Sequence, residues 1–312
     1  MEQLNVLVTG SSGFIGSRLV KALQECHISV LGVDIREAPT TDVQLDLSNS
    51  ECCLTLSKLM ETKQITHVIH LAALIRVGEG EKQPIRYWNV NFKGTYNVLH
   101  SMEKAKVKKL IFTSSAAVYD TKGSQKIRPL NEDAPVDPIS VYGRTKLHAE
   151  KLIRGWKGID SIILRLSNVA GGKEEDPCHL IPLMLESCMQ GKSPKIFGDD
   201  YWTFDGTCWR TFVHVKDVIN YIILLIRLID HRSRIYNVGR TIAIVSMVYS
   251  CIREFLEGEN INCPEVKVVA RRQGDPPAIS LDDTRLRNDL QIDDRLGFRE
   301  MIEDTFYEML KK

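Results

Sequence analysis

Short apolar runs alternate with longer helix-like stretches along the sequence, and this alternation constrains the fold most. The runs are apolar at consecutive positions, which is typical of strands in a parallel sheet that helices cover on both faces. Helical periodicity is found in residues 17–25, 91–104 and 140–156. The pattern predicts an α/β fold with a Rossmann-type doubly wound parallel sheet. The apolar runs are LNVLVTG (4–10), ISVLGVD (28–34), VQLDL (43–47), THVIHLAA (66–73), KLIFTSS (109–115), SIILRLS (161–167) and RIYNVG (234–239).

The alternation breaks after Asn168, where loops rich in glycine, proline and acidic residues replace it. A chain of 312 residues has room for one large domain or for two closely joined ones. We therefore expect a Rossmann domain over residues 1–167 and a smaller α/β substrate domain over residues 168–312. Because RIYNVG reads as a strand of the first sheet, a segment near 211–239 is expected to return to that sheet.

Charge and cysteine content exclude several classes of function. The 41 Lys and Arg residues nearly balance the 40 Asp and Glu residues, which gives no electrostatic reason to expect binding to nucleic acid or a membrane surface. The eight cysteines form no CxxC pair, so no metal site is predicted and a reduced chain is expected. The longest apolar run has nine residues, whereas a bilayer span needs roughly 20. These features predict a soluble, cytoplasmic protein.

A glycine-rich sequence, LVTGSSGFIGSRLV, joins the first predicted strand to the first predicted helix. Its Gly10, Gly13 and Gly16 form a GxxGxxG pattern. Glycines at such a turn let backbone N–H groups and the helix N-terminus approach a pyrophosphate. The same glycines also suit an ordinary strand-to-helix turn, so the pattern indicates a dinucleotide site only together with its context.

Acidic residues that follow the next two strands supply this context. Asp34 ends the second strand 18 residues after the last glycine, where its carboxylate can accept a hydrogen bond from an adenosine ribose hydroxyl. A carboxylate there repels a 2′-phosphate, so NAD is favoured over NADP. Arg36 weakens this preference unless it is a solvated surface charge. Asp46 and Leu47 follow the third strand and can contact adenine, although Asp46 also suits a turn.

Tyr142 and Lys146, in VYGRTK, lie four residues apart on a predicted helix and therefore on one face. A tyrosine acts as a base near neutral pH only if its pKa falls from about 10. A neighbouring ammonium group and an oxidised nicotinamide ring both favour the phenolate. A second YxxxK sequence, Tyr307 to Lys311, lacks a preceding strand like KLIFTSS, so Tyr307 is interpreted as a helix-packing residue.

Six sequence features together resemble the extended short-chain dehydrogenase/reductase superfamily: TGSSGFIG, Asp34, HLAA (70–73), NFKGT (91–95), TSSAAVY (113–119) and YGRTK (142–146). The resemblance implies that Ser115 bonds the substrate hydroxyl beside Tyr142. It implies that Asn91 belongs to the hydrogen-bond network of the active site and that Lys146 also binds the nicotinamide ribose. Further NAD contacts are expected from Ser12, Phe14, Ile15, Leu71, Ala72, Ala73 and Ser114.

The residues after Ser115 narrow the reaction. Relatives that eliminate water from nucleotide sugars read TDEVY where this chain reads SAAVY (115–119), and they use the Asp and Glu to move protons. Ala116 and Ala117 cannot do so, which disfavours dehydration and the related decarboxylation. The remaining chemistry is oxidation and reduction with one base: Tyr142 takes the C4 hydroxyl proton while hydride leaves C4 for NAD. Return of that hydride to the other face of the 4-keto sugar gives the C4 epimer.

Two blocks of the second domain, GDDYWTFDGTCWRTFVHVKDV (198–218) and VVARRQGDPPA (268–278), resemble UDP-glucose 4-epimerases. The resemblance implies that Arg210 and Arg272 contact the UDP diphosphate, a role that suits guanidinium groups. It implies the same contact for Asn168, in RLSN. As the alternative, Arg210 forms a salt bridge with Asp199, Asp200 or Asp205, and Arg272 is a solvated neighbour of Arg271.

The chain also departs from the epimerase pattern. His179 and Leu180 stand where many epimerases have Asn-Leu, near the uracil and the sugar. Thr211 and Phe212 replace an acid and a tyrosine, which we interpret as a structural change. Ile279 lies at a position that limits the C2 substituent of the sugar, where a small residue admits N-acetyl sugars. Isoleucine is of intermediate size, so the choice between glucose or galactose and their N-acetyl forms stays open. Asp275, in GDPPA, completes the candidate substrate-binding residues.

The sequence therefore predicts an NAD-dependent UDP-hexose 4-epimerase of galactose metabolism. The alternative is a nucleotide-4-ketosugar reductase with an exchangeable cofactor. A dinucleotide-sensing protein without activity is less favoured, because such proteins usually lack the tyrosine–lysine pair. The resemblance also implies a homodimer that packs through residues 89–105 and the helix of Tyr142.

Overall fold

Strands and helices alternate in the computed structural model largely as the sequence pattern predicts. The structure describes residues 3–121, 128–175, 177–228, 234–239, 241–272, 276–293 and 295–311. Its strands are β1 (Asn5–Thr9), β2 (Ser29–Asp34), β3 (Val43–Gln44), β4 (His67–His70), β5 (Lys109–Ser115), β6 (Asp160–Leu166), β7 (Asn168–Ala170), β8 (Lys195–Phe197), β9 (Trp209–His214), β10 (Arg234–Val238), β11 (Thr241–Ile244) and β12 (Lys267–Val269).

The helices of the described residues are given next. A π-helical segment, Trp88–Lys93, directly precedes the helix that begins at Gly94. None of these helices is both long enough and apolar enough to cross a membrane. The α-helices are α1 (Phe14–Glu25), α2 (Cys52–Thr62), α3 (Val77–Lys82), α4 (Pro84–Tyr87), α5 (Gly94–Lys104), α6 (Val141–Gly155), α7 (Leu180–Met189), α8 (Val215–Leu228), α9 (Val245–Gly258), α10 (Thr284–Leu290) and α11 (Phe298–Leu310).

One seven-stranded sheet has the order β10-β6-β5-β4-β1-β2-β3. β1 pairs in parallel with β2 on one side and with β4 on the other. The strand order therefore reverses next to β1, and ligands of open parallel sheets bind beyond the carboxyl ends of the strands at such a point. This sheet confirms the predicted Rossmann-type fold. It also places the glycine turn after β1 and Asp34, the last residue of β2, at the ligand-binding edge.

Burial explains why the strands read as continuous apolar runs. Every residue of β1 and of β4 is buried, since helices cover both faces of the sheet. Leu7, Val68 and Ile163 of the sheet belong to the same buried cluster as Leu56 of α2 and Leu99 of α5. Full burial of each such side chain contributes about 1.5–3 kcal/mol, so the cluster holds the layers in place.

The chain divides into two compact units that each contain several segments. The first unit comprises Met1–Val118, Pro138–Arg165 and Ile219–Tyr236, and the second comprises the residues between and after them. One crossing between the units therefore lies at residues 165 and 166. The strand of RIYNVG, β10, belongs to the seven-stranded sheet, whereas β9 belongs to a sheet of the second unit.

The second unit contains a three-stranded sheet, β11-β9-β7, and a two-stranded sheet, β12-β8. Its core contains Leu185 of α7, Phe212 of β9, Ile252 of α9 and Phe306 of α11. The loop over residues 128–137 belongs to this unit because Leu130 N–H donates to the carbonyl of Ser280. Several second-unit segments are therefore joined through a core of their own.

Candidate active site

The glycine turn after β1 brings backbone atoms close together. Gly10 has a φ of +73°, and a Cβ there would lie 2.7 Å from the backbone nitrogen of Ala72. A Cβ at Gly16 would lie 2.0 Å from the carbonyl oxygen of Gly10. Helix α1 begins at Phe14, and its N-cap residue Gly13 forms no side-chain cap. The first-turn N–H groups, which include that of Ile15, therefore form a cradle that suits an anionic group.

Asp34 faces this cradle. Its Oδ2 accepts from Ser12 N–H at 2.9 Å, and its Oδ1 accepts from Arg36 N–H at 3.0 Å. Arg36 is exposed, but its Nε donates to the Ser12 hydroxyl at 3.1 Å, so it is more than a solvated surface charge. The carboxylate is thus fixed at the end of β2, where a ribose hydroxyl would meet it.

The other predicted cofactor contacts have defined environments. Asp46 is exposed, and its Oδ1 accepts from Ser48 N–H at 2.8 Å, as in a turn. Leu47 is 8% exposed and its carbonyl accepts from Asn97 Nδ2 at 2.7 Å. Residues 71–73 follow β4, and Leu71 N–H donates to the Thr9 carbonyl. Ala72 lies against Gly10 of the glycine turn. Ala73 is the next residue in the chain after Ala72.

Asn91 connects the loop after β4 to α6. It lies in the π-helical segment, a conformation that is frequent at functional sites. Its Oδ1 accepts from Leu74 N–H at 2.8 Å, and its Nδ2 donates to the Leu74 carbonyl at 2.9 Å and to Thr145 Oγ1 at 3.0 Å. Thr145 in turn donates to the Tyr142 carbonyl at 2.8 Å. Asn91 thereby fixes the helical turn that carries Tyr142.

His70 extends this network to β1. Thr95 donates its hydroxyl hydrogen to the Asn91 carbonyl, so it accepts at 3.1 Å from His70 Nε2, and the Thr9 hydroxyl donates to His70 Nδ1 at 2.7 Å. Burial, helped by the charge of Lys146, lowers the pKa of His70 to about 3. His70 is therefore a neutral connector between β1 and Thr95, a role that the HLAA motif does not indicate.

Tyr142 lies in the first turn of α6, where the Ser140 hydroxyl caps the helix by accepting from Gly143 N–H at 3.0 Å. The backbone of Gly143 packs on the carbonyl of Ala117, so the helix start lies against the chain that follows β5. Ser115 is the last residue of β5 and is half-buried, and its hydroxyl oxygen accepts from Ala117 N–H at 3.2 Å. The structure thus joins the elements that carry Tyr142 and Ser115.

Lys146 lies one turn further along α6 and is 3% exposed. Its Nζ donates to the carbonyl of Thr113 in β5 at 2.8 Å and lies 4.8 Å from the ring centre of Phe112. Burial lowers the pKa of Lys146 to about 7, although the carboxylate of Glu150 opposes this fall. Lys146 is therefore a buried cation that the Thr113 carbonyl and the charge of Glu150 stabilise.

Backbone carbonyls and aromatic rings hold the two predicted diphosphate ligands in the second unit. Arg210 Nη1 donates to the carbonyls of Trp209 at 2.8 Å and Pro276 at 2.9 Å. The Arg272 guanidinium lies 3.6 Å above the ring centre of Phe197. Asn168 Nδ2 donates to the carbonyl at position 211 at 2.9 Å. Asp275 lies outside the described residues.

Thr211 has a structural role that explains its departure from the epimerase pattern. The residue is fully buried, and its hydroxyl donates to the Ile279 carbonyl and accepts from Leu281 N–H, both at 3.1 Å. It therefore joins β9 to the chain at 279–281. Phe212 packs edge-on against Phe298 at 5.5 Å. Both side chains stabilise the second unit.

His179 immediately precedes α7, which begins at Leu180, and forms an ion pair with the buried Glu174. Burial opposes protonation of His179, but its hydrogen bonds with Cys178 and Glu174 prevail and raise its pKa to about 10. Position 179 therefore carries an imidazolium group at neutral pH. The donor atoms of Glu174, Cys178 and His179 lie within 4.8 Å of one another, close enough to share a metal ion, and the ion pair already accounts for this cluster.

Comparisons with known proteins identify the family of this chain. A model of the NAD dependent epimerase/dehydratase family matches residues 6–239. The UDP-glucose 4-epimerase of Lactobacillus helveticus is 34% identical over 306 residues, which cover 91% of this chain and 90% of that protein. Among solved structures, a Stenotrophomonas maltophila UDP-glucose-4-epimerase with bound NAD and formylated UDP-arabinopyranose has a TM-score of 0.87 at 30% identity, covering 98% of this chain and 97% of that one. A Bifidobacterium longum UDP-glucose 4-epimerase with NAD+ and UDP has a TM-score of 0.89 at 26% identity, and 98% of each chain is covered.

Proposed function

We propose that this chain, which belongs to the NAD dependent epimerase/dehydratase family, catalyses the NAD-dependent 4-epimerisation of a UDP-hexose. The observation that carries the proposal is the buried Lys146 ammonium in α6, one turn after Tyr142, beside the strand that ends at Ser115. The positions after Ser115 are Ala116 and Ala117, so this part of the site has one base and no second acid.

The glycine turn and Asp34 fit NAD. The close approach of Gly10 and Gly16 leaves no space for side chains, so a pyrophosphate can come near the backbone N–H groups of α1. The Asp34 carboxylate is suited to a ribose hydroxyl and would repel a 2′-phosphate. When bound, NAD supplies the acceptor, and afterwards the donor, of the C4 hydride.

The residues of α6 and β5 supply the proton chemistry. Tyr142 as phenolate accepts the proton of the sugar C4 hydroxyl, and Ser115 holds that hydroxyl by a hydrogen bond. Lys146 stabilises the phenolate by its charge. Asn91 and Thr145 hold the first turn of α6 in place. Tyr142 can therefore return the proton to the same C4 oxygen when the hydride returns to the other face of the sugar. The cycle has no net oxidation.

Residues of the second unit bind the UDP-sugar in this proposal. Arg210, Arg272 and Asn168 bind the diphosphate, and the rigid contacts of both guanidinium groups reduce the entropy lost on binding. The cationic His179, followed by Leu180, adds positive charge where many epimerases have asparagine. Asp275 also belongs to the proposed substrate-binding residues. The side chain of Ile279 limits the C2 substituent, so both hexoses and their N-acetyl forms are candidate substrates.

The test is incubation of purified protein with UDP-glucose and UDP-N-acetylglucosamine side by side, with NMR of the products. We expect C4 epimers, NAD released on denaturation of the protein, and no net NADH formation. Tyr142→Phe should lose nearly all activity, whereas Tyr307→Phe, in the second YxxxK sequence, should retain it. Failure to form either epimer by protein shown to hold NAD would refute the proposal, and stoichiometric NAD(P)H consumption would establish a reductase.

We also propose a homodimer that packs through residues 89–105 and α6. Aromatic side chains lie on this face: Tyr96 is 44% exposed, and Trp88 makes edge contacts with Phe92 and His148 at 5.6 and 5.0 Å. Light scattering should give twice the chain mass for wild type and the chain mass for Tyr96→Glu. A cytoplasmic location and a role in galactose metabolism complete the proposal; cell fractionation and galactose growth of a deletion strain test them.

A further inference from the structure

A buried carboxylate, Glu150, lies one helical turn after Lys146 on α6 and is 2% exposed. Its Oε1 accepts from the Ser114 hydroxyl at 2.5 Å and from Arg165 Nε at 3.0 Å. Its Oε2 accepts from Arg165 Nη2 at 2.8 Å. Cβ atoms four residues apart on a helix are about 5–6 Å apart, so Glu150 and Lys146 share one face of α6.

We propose that Glu150 is a positioning residue whose carboxylate keeps the Lys146 ammonium charged, and that Arg165 and Ser114 hold this carboxylate in place. Its effect on Tyr142 rests on the proposed function. The charge of Lys146, by contrast, can be measured without any turnover.

The surroundings of Lys146 explain why a carboxylate is needed there. The ammonium is almost completely buried and donates to one carbonyl, that of Thr113. Burial favours its neutral form, and Glu150 is the neighbouring charge that favours the charged form. The other ionisable groups of this region are His70, which is neutral because of its low pKa, Tyr142 and Arg165. Lys146 therefore depends on Glu150 for its proton near neutral pH.

Arg165 is the counter-ion of Glu150. A carboxylate that is removed from water takes up a proton unless it is paired and hydrogen-bonded. The guanidinium fork of Arg165, itself 3% exposed, donates to both carboxylate oxygens. The Ser114 hydroxyl adds a third donor. The charge thus persists inside the protein, where little solvent screens it.

Removing this charge should be visible in the titration of Lys146. In Glu150→Gln, the lysine loses its stabilising partner while Arg165 keeps its positive charge. An opposite charge next to an ionisable group shifts its pKa by about 1–3 units, so we expect the Lys146 midpoint to fall by at least about one pH unit. The basic limb of the pH profile of kcat/KM should move down by the same amount. A purely structural role would lower the amplitude at every pH without moving the limb.

The experiment is 13C NMR of lysine-labelled full-length protein across a pH series, with the Lys146 signal identified by its loss in Lys146→Met. Glu150→Gln/Arg165→Gln removes both charges, leaves neither member of the Glu150–Arg165 pair as an unpaired ion and covers the case in which the single variant does not fold. Its midpoint should lie between those of Glu150→Gln and wild type. In Glu150→Asp, which keeps the charge, the Lys146 midpoint should stay close to that of wild type.

A Lys146 midpoint that is the same in wild type, Glu150→Gln and the double variant would overturn the inference. This outcome is independent of the proposed function, because the titration needs no substrate. Conversely, a wild-type protein that does not epimerise any UDP-sugar refutes the proposed function, while the NMR midpoints still decide the role of Glu150.

Discussion

The ion pair of Glu174 and His179 predicts a specific dependence of stability on pH. Glu174 is 7% exposed, and its carboxylate accepts from Cys178 N–H at 2.9 Å as well as from the imidazole of His179. Glu174→Gln keeps the shape and size of this side chain but removes its charge. The imidazolium of His179 then loses its counter-ion, and its pKa should fall towards the ordinary value.

The sign and size follow from the pKa of His179, which rises from 6.5 to about 10 on folding. The folded state binds this proton more tightly than the unfolded chain, so the stabilisation is complete below pH 6.5 and is lost as the pH rises towards 10. The full shift corresponds to on the order of 5 kcal/mol. The side chain of His179 is 27% exposed, so solvent screens the pair and we expect about 2 kcal/mol.

Thermal unfolding of wild type, Glu174→Gln and His179→Asn at about pH 6 and pH 9.5 tests this prediction. For units of this size 1 kcal/mol moves Tm by about 2–4 °C. Between the two pH values the Tm of the wild type should therefore fall by about 4–8 °C more than that of either variant. His179→Asn is the matched control, because it removes the titrating group and keeps the carboxylate. An equal loss of Tm in all three proteins would refute the reasoning.

Three further predictions concern the proposed site. Gly16→Ala would place a Cβ 2.0 Å from a backbone carbonyl oxygen, so it should lose the NAD that co-purifies, whereas Gly155→Ala, whose Cβ meets nothing within 4 Å, should retain it in the absorbance spectrum. Asn91→Asp would set a carboxylate oxygen against the Leu74 carbonyl and should lower stability by about 1–3 kcal/mol, as read by denaturant unfolding, together with kcat. Ile279→Ala should raise the kcat/KM ratio of N-acetylated to plain UDP-hexose at least about tenfold in paired assays; an unchanged ratio would contradict the proposed role of Ile279.

The sheet could be predicted because its signal is local. β1 and β4 are buried at every residue, so each reads as a continuous apolar run. The glycine turn and Asp34 lie at the ends of β1 and β2, and strand ends were the positions at which the sequence predicted them. The spacing of Tyr142 and Lys146 likewise placed both on one face of a helix. Each of these predictions depends on residues that lie close together in the sequence.

The hydrogen-bond network that supports these residues could not be predicted in the same way. Thr9 and His70 are 61 residues apart, and Asn91 and Thr145 are 54 residues apart. The motifs HLAA and NFKGT contain His70 and Asn91, but they do not indicate which hydroxyl or amide each one meets. Glu150 gave no signal either, since an acid on an amphipathic helix is usually exposed. Only the packing of α6 against β5 and β6 makes it a buried ion.

In the acidic segment at 198–218, local contacts determine whether a carboxylate opposes the binding of a diphosphate. Asp200 pairs with the neighbouring Arg271, with Nε and Oδ1 2.6 Å apart. Asp205 accepts from Thr207 N–H at 2.9 Å and also from the hydroxyls of Thr207 and Ser246. Two of the three acids that precede Arg210 in this segment are therefore bound within the loop and its neighbours. The positive charge of Arg210 thus need not be cancelled by these acids, which is the electrostatic condition that a diphosphate site requires.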